Sequence, residues 1–257
     1  MNARTGLALR VDDVALAHGG DPVVRGLTLE VRPGEVFVVV GPSGCGKSTL
    51  LRGLAGLLPV AAGSMRADDV AVTGPSPDRA LMFQDDALLP WRTARRNVEL
   101  PMAIRRVPRR ERRARAESWL ARVGLDGQEH RLPAQLSGGM RQRVQLARTL
   151  AGEPRAILMD EPFGALDAQT RGAMQRLLVD VLRTTPATVV FVTHDVDEGL
   201  FLGDRVAVLG AGGIETLVDV PHPRDAATRG TPLIRAARRE ILEALGAPET
   251  DLRSVPC

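Results

Sequence analysis

Residues 36–58 read VFVVVGPSGCGKSTLLRGLAGLL. Val36 to Val40 is an apolar, β-branched run of strand length, and such a run bounded by a turn signal reads as a buried strand. GPSGCGKS, Gly41 to Ser48, follows at once, after which Leu50, Leu51, Leu54 and Leu57 recur at helical spacing. Strand, glycine-rich loop and helix in this order supply the context that a G-x-x-x-x-G-K-S match requires. The loop residues Gly41, Pro42, Ser43, Gly44, Cys45 and Gly46 let successive backbone N–H groups converge on phosphate oxygens, and the positive end of the helix reinforces them. Lys47 is expected to reach the β- and γ-phosphates and Ser48 to hold Mg²⁺, with Thr49 completing the binding stretch.

Composition singles out the same loop. The 34 basic residues include a single lysine, Lys47; every other cation is arginine. A compact, flexible ammonium fits within a phosphate-wrapped loop where a planar guanidinium fork is too bulky. Cys45 reads as a small loop residue.

A second apolar strand, Ala156 to Met159 within RAILMDEPFGALD, ends in two acids. An acid directly after a hydrophobic strand suits a Mg²⁺ carboxylate, which assigns Asp160 to the metal shell. Glu161 becomes the candidate general base or water-positioning group. A third strand, Ala187 to Val192, runs into Thr193, His194 and Asp195. Ligands of open α/β sheets bind outside the carboxyl ends of the strands, so all three strand ends point to one crevice.

Several classes are excluded by composition. At 257 residues and 44% hydrophobic content the chain can bury a core as one domain or a core with a subdomain. Its apolar runs fall far short of the roughly 18–20 residues of a spanning helix. MNARTGLALRVDD lacks an apolar signal core, and Cys45 and Cys257 build neither a disulfide framework nor a zinc site, so a reducing cytoplasm is expected. A formal net charge of +3 does not imply a nucleic-acid partner. The basic run RRVPRRERRAR, Arg105 to Arg115, reads first as a solvated helix face and second as a contact for anionic lipid or a partner.

With these motifs in place, the chain resembles the nucleotide-binding subunit of ATP-binding cassette transporters over roughly residues 7–210. GPSGCGKST is similar to the family's Walker A, Phe83–Gln84 to its Q-loop, LSGGM (Leu136 to Met140) to its signature, ILMDEP to its Walker B, GALD (Gly164 to Asp167) to its D-loop and His194 to its switch histidine. The resemblance implies an α/β P-loop NTPase (RecA-like) core with an N-terminal antiparallel β subdomain and an inserted α-helical signature subdomain. Residues 1–85 and 154–257 then read as the ATPase core and 86–153 as the insertion.

The same resemblance explains why a second glycine pair opens a second helix. In this family two cassettes pack head to tail, so Ser137, Gly138 and Gly139 would serve the ATP held by the partner cassette, a second identical copy being the natural partner. Ser137 also reads as an ordinary N-cap, which uses the same backbone donors. Asp167 would lie near the dimer seam. Gln84 would sense the γ-phosphate through Mg²⁺ or water, and the apolar cluster Leu88, Leu89, Pro90 and Trp91 would receive a helix of an integral membrane permease, packing inside the helical subdomain being the alternative for that cluster. Adenine stacking falls at His18, where the family places an aromatic ring.

LLPWRT, EPFGALDAQTR and FVTHDVDEGLFLGDRV look like the nitrate, sulfonate and taurine importer group. That implies ATP hydrolysis on the inner face of the cell membrane, coupled to solute uptake, with an extracytoplasmic solute-binding protein acting indirectly. A cassette ATPase working on nucleic acid shares the motifs. It would bring a long coiled coil before the signature, zinc-spaced cysteines or tandem cassettes, none of which this sequence shows. A small-molecule kinase or regulatory switch would leave the signature, D-loop and His194 without a role.

Overall fold

Valine packs best on a pleated, enclosed surface, and in the computed structural model residues 36–40 form a strand buried along its whole length. The structure describes residues 6–17, 21–85, 87–185, 187–210, 212–221, 223–225 and 230–246. Its strands in chain order are β1 (Leu9–Ala17), β2 (Pro22–Val31), β3 (Val36–Val40), β4 (Ala62–Ala67), β5 (Val70–Ala71), β6 (Arg79–Met82), β7 (Ala156–Asp160), β8 (Thr188–Val192), β9 (Arg205–Gly210) and β10 (Gly213–Asp219). The helices are α1 (Lys47–Ala55), α2 (Ala94–Ile104), α3 (Arg109–Arg122), α4 (Gly138–Ala151), α5 (Ala168–Thr184), α6 (Val196–Leu202) and α7 (Pro232–Ala244).

Contacts divide the chain into two compact units, one holding the residues up to Pro75 and those from 187 onward, the other Ser76–Thr185. By this division β6 and β7 group with the helices, whereas the motif boundaries at 85 and 154 assign them to the ATPase core.

In the first unit an antiparallel sheet runs in the order β2-β1-β4-β5, as the family resemblance implies for the N-terminal segment. β3 pairs in parallel with β8 and with β9, and β10 is antiparallel to β9. Burial of β3, β8 and β9 on both faces accounts for their near-continuous Val, Phe and Leu content. Arg205 at the start of β9 is held by the buried Glu35, with Nη2 2.9 Å from Oε2, and donates to the Glu30 carbonyl at 2.7 Å. The hydrogen bonds it donates to Glu35 hold the guanidinium above its ordinary pKa.

Helix α1 ends earlier than the leucine spacing predicts. Gly56 adopts a left-handed conformation and its N–H donates to the Arg52 and Gly53 carbonyls, so Leu57 lies outside the helix with half its surface exposed.

In the second unit, β6 and β7 pair in parallel. The helical core buries Leu88, Ala94, Val98, Met102, Ala116, Leu120, Val144 and Ala147. Most of the basic run lies in α3, where Arg113 pairs with Glu117 at 2.9 Å and Arg115 with Glu111 at 2.8 Å and Glu153 at 2.9 Å. Arg105 pairs with Asp78 at 2.9 Å. These pairings suit a solvated helix face. Among the described residues no helix is long and apolar enough to cross a membrane.

Candidate functional site

β3 stops at Val40 and α1 starts at Lys47, leaving residues 41–46 as the connecting loop. Lys47 is buried, and its ammonium donates to the Gly41 carbonyl at 2.7 Å and the Pro42 carbonyl at 2.9 Å. The loop therefore curls around the one lysine. Gly46 has φ 102°, and a Cβ there would run into the Val24 side chain, while one at Gly41 would strike the Leu209 carbonyl. Only glycine satisfies both positions. Pro42, Ser43 and Gly44 are exposed at the mouth; Cys45, Ser48 and Thr49 are half-buried, with the Cys45 Sγ 3.9 Å from the ammonium.

This arrangement fits the phosphates of a nucleotide: a buried cation lies inside a glycine-lined loop at the start of a helix. For Mg²⁺ the chemistry of the donors is also suitable. Among the described residues no group of three or more His, Cys, Asp or Glu side chains is placed to cage a metal. Mg²⁺ commonly takes one or two carboxylates, with substrate phosphates completing its shell; the Ser48 hydroxyl in the first unit and the Asp160 carboxylate in the second are each a hard oxygen donor.

Parallel pairing sets Val39 beside Val192, so the Gly41 loop and Thr193–His194 leave the same edge of the sheet. His194 is exposed, and the turn that carries it is held by its neighbours. Thr193 Oγ1 donates to Glu198 Oε2 at 2.7 Å, the Asp195 N–H donates to Thr193 Oγ1 at 3.0 Å, and the Glu198 N–H donates to Asp195 Oδ1 at 3.0 Å. Asp195 thereby caps α6.

In the second unit the pairing of Met82 with Met159 brings Gln84 and Asp160–Glu161 out along one edge. Asp160 is buried, Glu161 half-buried and Gln84 exposed. Glu161 has φ 43°, a left-handed conformation that costs a side-chain-bearing residue energy and clusters at functional sites. The turn after it is closed by the Gly164 N–H on the Glu161 carbonyl at 3.2 Å, with Phe163 and Leu166 buried beneath. Asp167 caps α5, accepting the Thr170 N–H at 2.9 Å. That hydrogen bond holds the Asp167 carboxyl below the usual carboxylate range.

Ser137 is the N-cap of α4, its Oγ accepting the Met140 N–H at 3.2 Å. Ser137 and Gly138 are exposed, and Gly139 lies against Leu166, which joins the signature stretch to the D-loop turn. The 88–91 cluster divides: Leu88 is buried in the helical core, whereas Trp91 is 72% exposed. His18 lies outside the described residues.

Three structural residues escaped the sequence reading. Buried Asn97 holds the 89–93 loop, buried Gln145 holds the backbone around Gln84, and buried Glu198 holds the His194 turn. Only Glu198 left a signal, the Asp195-x-x-Glu198 spacing of a capping box.

Comparison with known proteins gives one answer at three levels. The family model described as ABC transporter matches residues 24–164. An ATP-binding protein of Brucella abortus is 43% identical, with 95% of this chain and 96% of the relative covered. Taurine import ATP-binding proteins of Chromobacterium violaceum and Yersinia pestis are 48% and 45% identical, each aligned over about four fifths of both chains. A solved dimeric ATP-binding cassette in a post-hydrolysis state, bound to ADP and Pi, matches with TM-score 0.77 and 31% identity over 83% of this chain and 99% of its own.

Proposed function

The chain belongs to the ABC transporter family and is an ATPase, and from that premise we propose that it is the nucleotide-hydrolysing subunit of an importer for a small solute. The taurine import relatives favour a solute of the nitrate, sulfonate or taurine kind over the nucleic-acid alternative. The observation that carries the site assignment is the buried Lys47 ammonium, centred on the Gly41 and Pro42 carbonyls at the start of α1.

Lys47 would neutralise the β- and γ-phosphates, with the N–H groups of residues 41–49 around them. Ser48 and Asp160 would hold Mg²⁺, with Gln84 beside it. Mg²⁺, when bound, neutralises charge that develops on the transferring phosphoryl group. Glu161 would orient the attacking water and accept its proton, and His194 would donate to the γ-phosphate. Ser137, Gly138 and Gly139 would complete the site of a second copy, with Asp167 at the seam; the dimeric solved cassettes support this arrangement. In functional terms residues 1–85 and 154–257 serve as the ATPase core and 86–153 as the signature insertion. Exposed Trp91 and neighbouring Pro90 would meet the permease on the inner face of the cell membrane, and the extracytoplasmic solute-binding protein would act through that permease.

ATP would favour the closed pair because only the closed form surrounds it from both sides, a differential affinity that shifts the equilibrium. The test is the oligomeric state of Glu161→Gln by light scattering. A dimer with ATP and Mg²⁺ and a monomer with ADP are expected. A parent chain that releases no phosphate from ATP, together with a variant monomeric in both nucleotides, overturns the proposal.

A further inference from the structure

Gln145 lies on α4, two turns or about 11 Å from Gly138 at the helix start. It is completely buried, and its Nε2 donates to the Phe83 carbonyl at 2.9 Å and to the Asp85 carbonyl at 3.1 Å. Those carbonyls lie on either side of Gln84. Turning the amide would set its oxygen against both of them, so the donors are fixed in place. Its Oε1 is buried and makes no hydrogen bond among the described residues. Among the described residues the amide's side-chain hydrogen bonds are thus the two it donates to the loop.

One turn further along the same face, Arg148 donates from Nη1 to the Ala87 carbonyl at 2.8 Å. Ala87 has φ 42°, a strained conformation that persists where surrounding contacts hold it. The helix that opens with the signature therefore grips residues 83, 85 and 87 from two side chains. An α-helix is stiff along its axis, and a displacement of its N-terminus is carried to side chains two turns away.

We propose that Gln145 and Arg148 are positioning residues that lock the Gln84 loop to the signature helix, so that phosphate contact at Ser137–Gly139 and metal sensing at Gln84 shift as one body. The proposal rests on the roles proposed above for those two stretches. It couples the site served in trans to the site served in cis through side chains of a single helix.

The test uses the full chain and compares the parent with Gln145→Leu, which keeps approximate volume and removes both donors. The Mg²⁺ concentration for half-maximal ATP hydrolysis, at saturating ATP, is expected to rise about 10-fold, as expected for losing hydrogen bonds that set a ligand's place. ADP affinity should stay within about 2-fold, because residues 41–49 are untouched. Arg148→Met, at a half-buried position outside the core, should move the same Mg²⁺ curve about 3-fold, and it decides the matter if Gln145→Leu does not fold. In the double variant the two shifts should combine to less than their product, because both side chains hold one loop.

Mg²⁺ curves that superimpose on the parent's, with any loss of rate following a loss of folded protein, overturn the proposal and leave the ATPase assignment standing. A parent that hydrolyses no ATP sinks both.

Discussion

Asn97 and Leu89 are bonded to each other twice: the Leu89 N–H donates to Asn97 Oδ1 at 2.8 Å, and Asn97 Nδ2 returns a hydrogen bond to the Leu89 carbonyl at 3.2 Å. The same Nδ2 reaches the Arg92 carbonyl at 3.0 Å and the Thr93 carbonyl at 3.1 Å. One fully buried amide thus shapes the loop that presents Trp91. Asn97→Ala removes the side-chain partner of the Leu89 N–H and the Arg92 carbonyl, while the Leu89 and Thr93 carbonyls keep the Arg92 and residue-97 N–H groups, and it is expected to cost about 1–3 kcal/mol, measured by urea unfolding. A loss below about 0.5 kcal/mol would show that the loop holds its shape without the strut.

Lys47→Arg should be nearly as damaging as Lys47→Ala. The ammonium sits buried between two carbonyls of a tight loop, and a guanidinium fork cannot take that place. Both variants are expected to lose about 100-fold in kcat/KM for ATP, the scale of removing one charge that stabilises the transition state. Retention of near-parental turnover by Lys47→Arg would refute the steric account.

Glu161 carries a backbone strain that glycine would relieve. At φ 43° the substitution Glu161→Gly should stabilise the fold by about 1 kcal/mol while abolishing phosphate release. Glu161→Gln keeps the strain and should match the parent in thermal unfolding. An unchanged or lowered Tm for the glycine variant would mean that other contacts of the glutamate outweigh the strain.

The acid limb of stability should report Asp167. Its carboxyl is held below its ordinary value of 3.8 by the Thr170 N–H. A carboxyl with a lowered folded-state pKa stabilises fully above its unfolded value, and the contribution disappears as pH falls through the folded value. Asp167→Ala should therefore be less stable than the parent at neutral pH, with the gap closing below pH 3.8. Denaturant midpoints across an acid pH series measure this, and a gap independent of pH would assign the effect to packing.

What could be read from the chain alone follows from how locally each feature is encoded. The buried strand at 36–40, the loop to Ser48 and the Ser137 cap are written in consecutive residues whose chemistry allows few alternatives. Gln145 is different: its partners lie 62 and 60 positions upstream, and nothing about a glutamine in an amphipathic helix announces them. Leu57 misled for a related reason. Its spacing continued the leucine series, but the geometry of Gly56 ended the helix first. Leu88 and Trp91 read as one apolar cluster and separated because a single turn can face both the core and the solvent.

The solitary lysine has a spectroscopic consequence. With one side-chain amine in the whole chain, protein grown on lysine enriched in ¹⁵N at the ζ position would carry one ammonium label, already located between the carbonyls of Gly41 and Pro42. No assignment problem would arise, and the resonance would follow the phosphate seat through binding, closure and release without a mutation anywhere in the molecule.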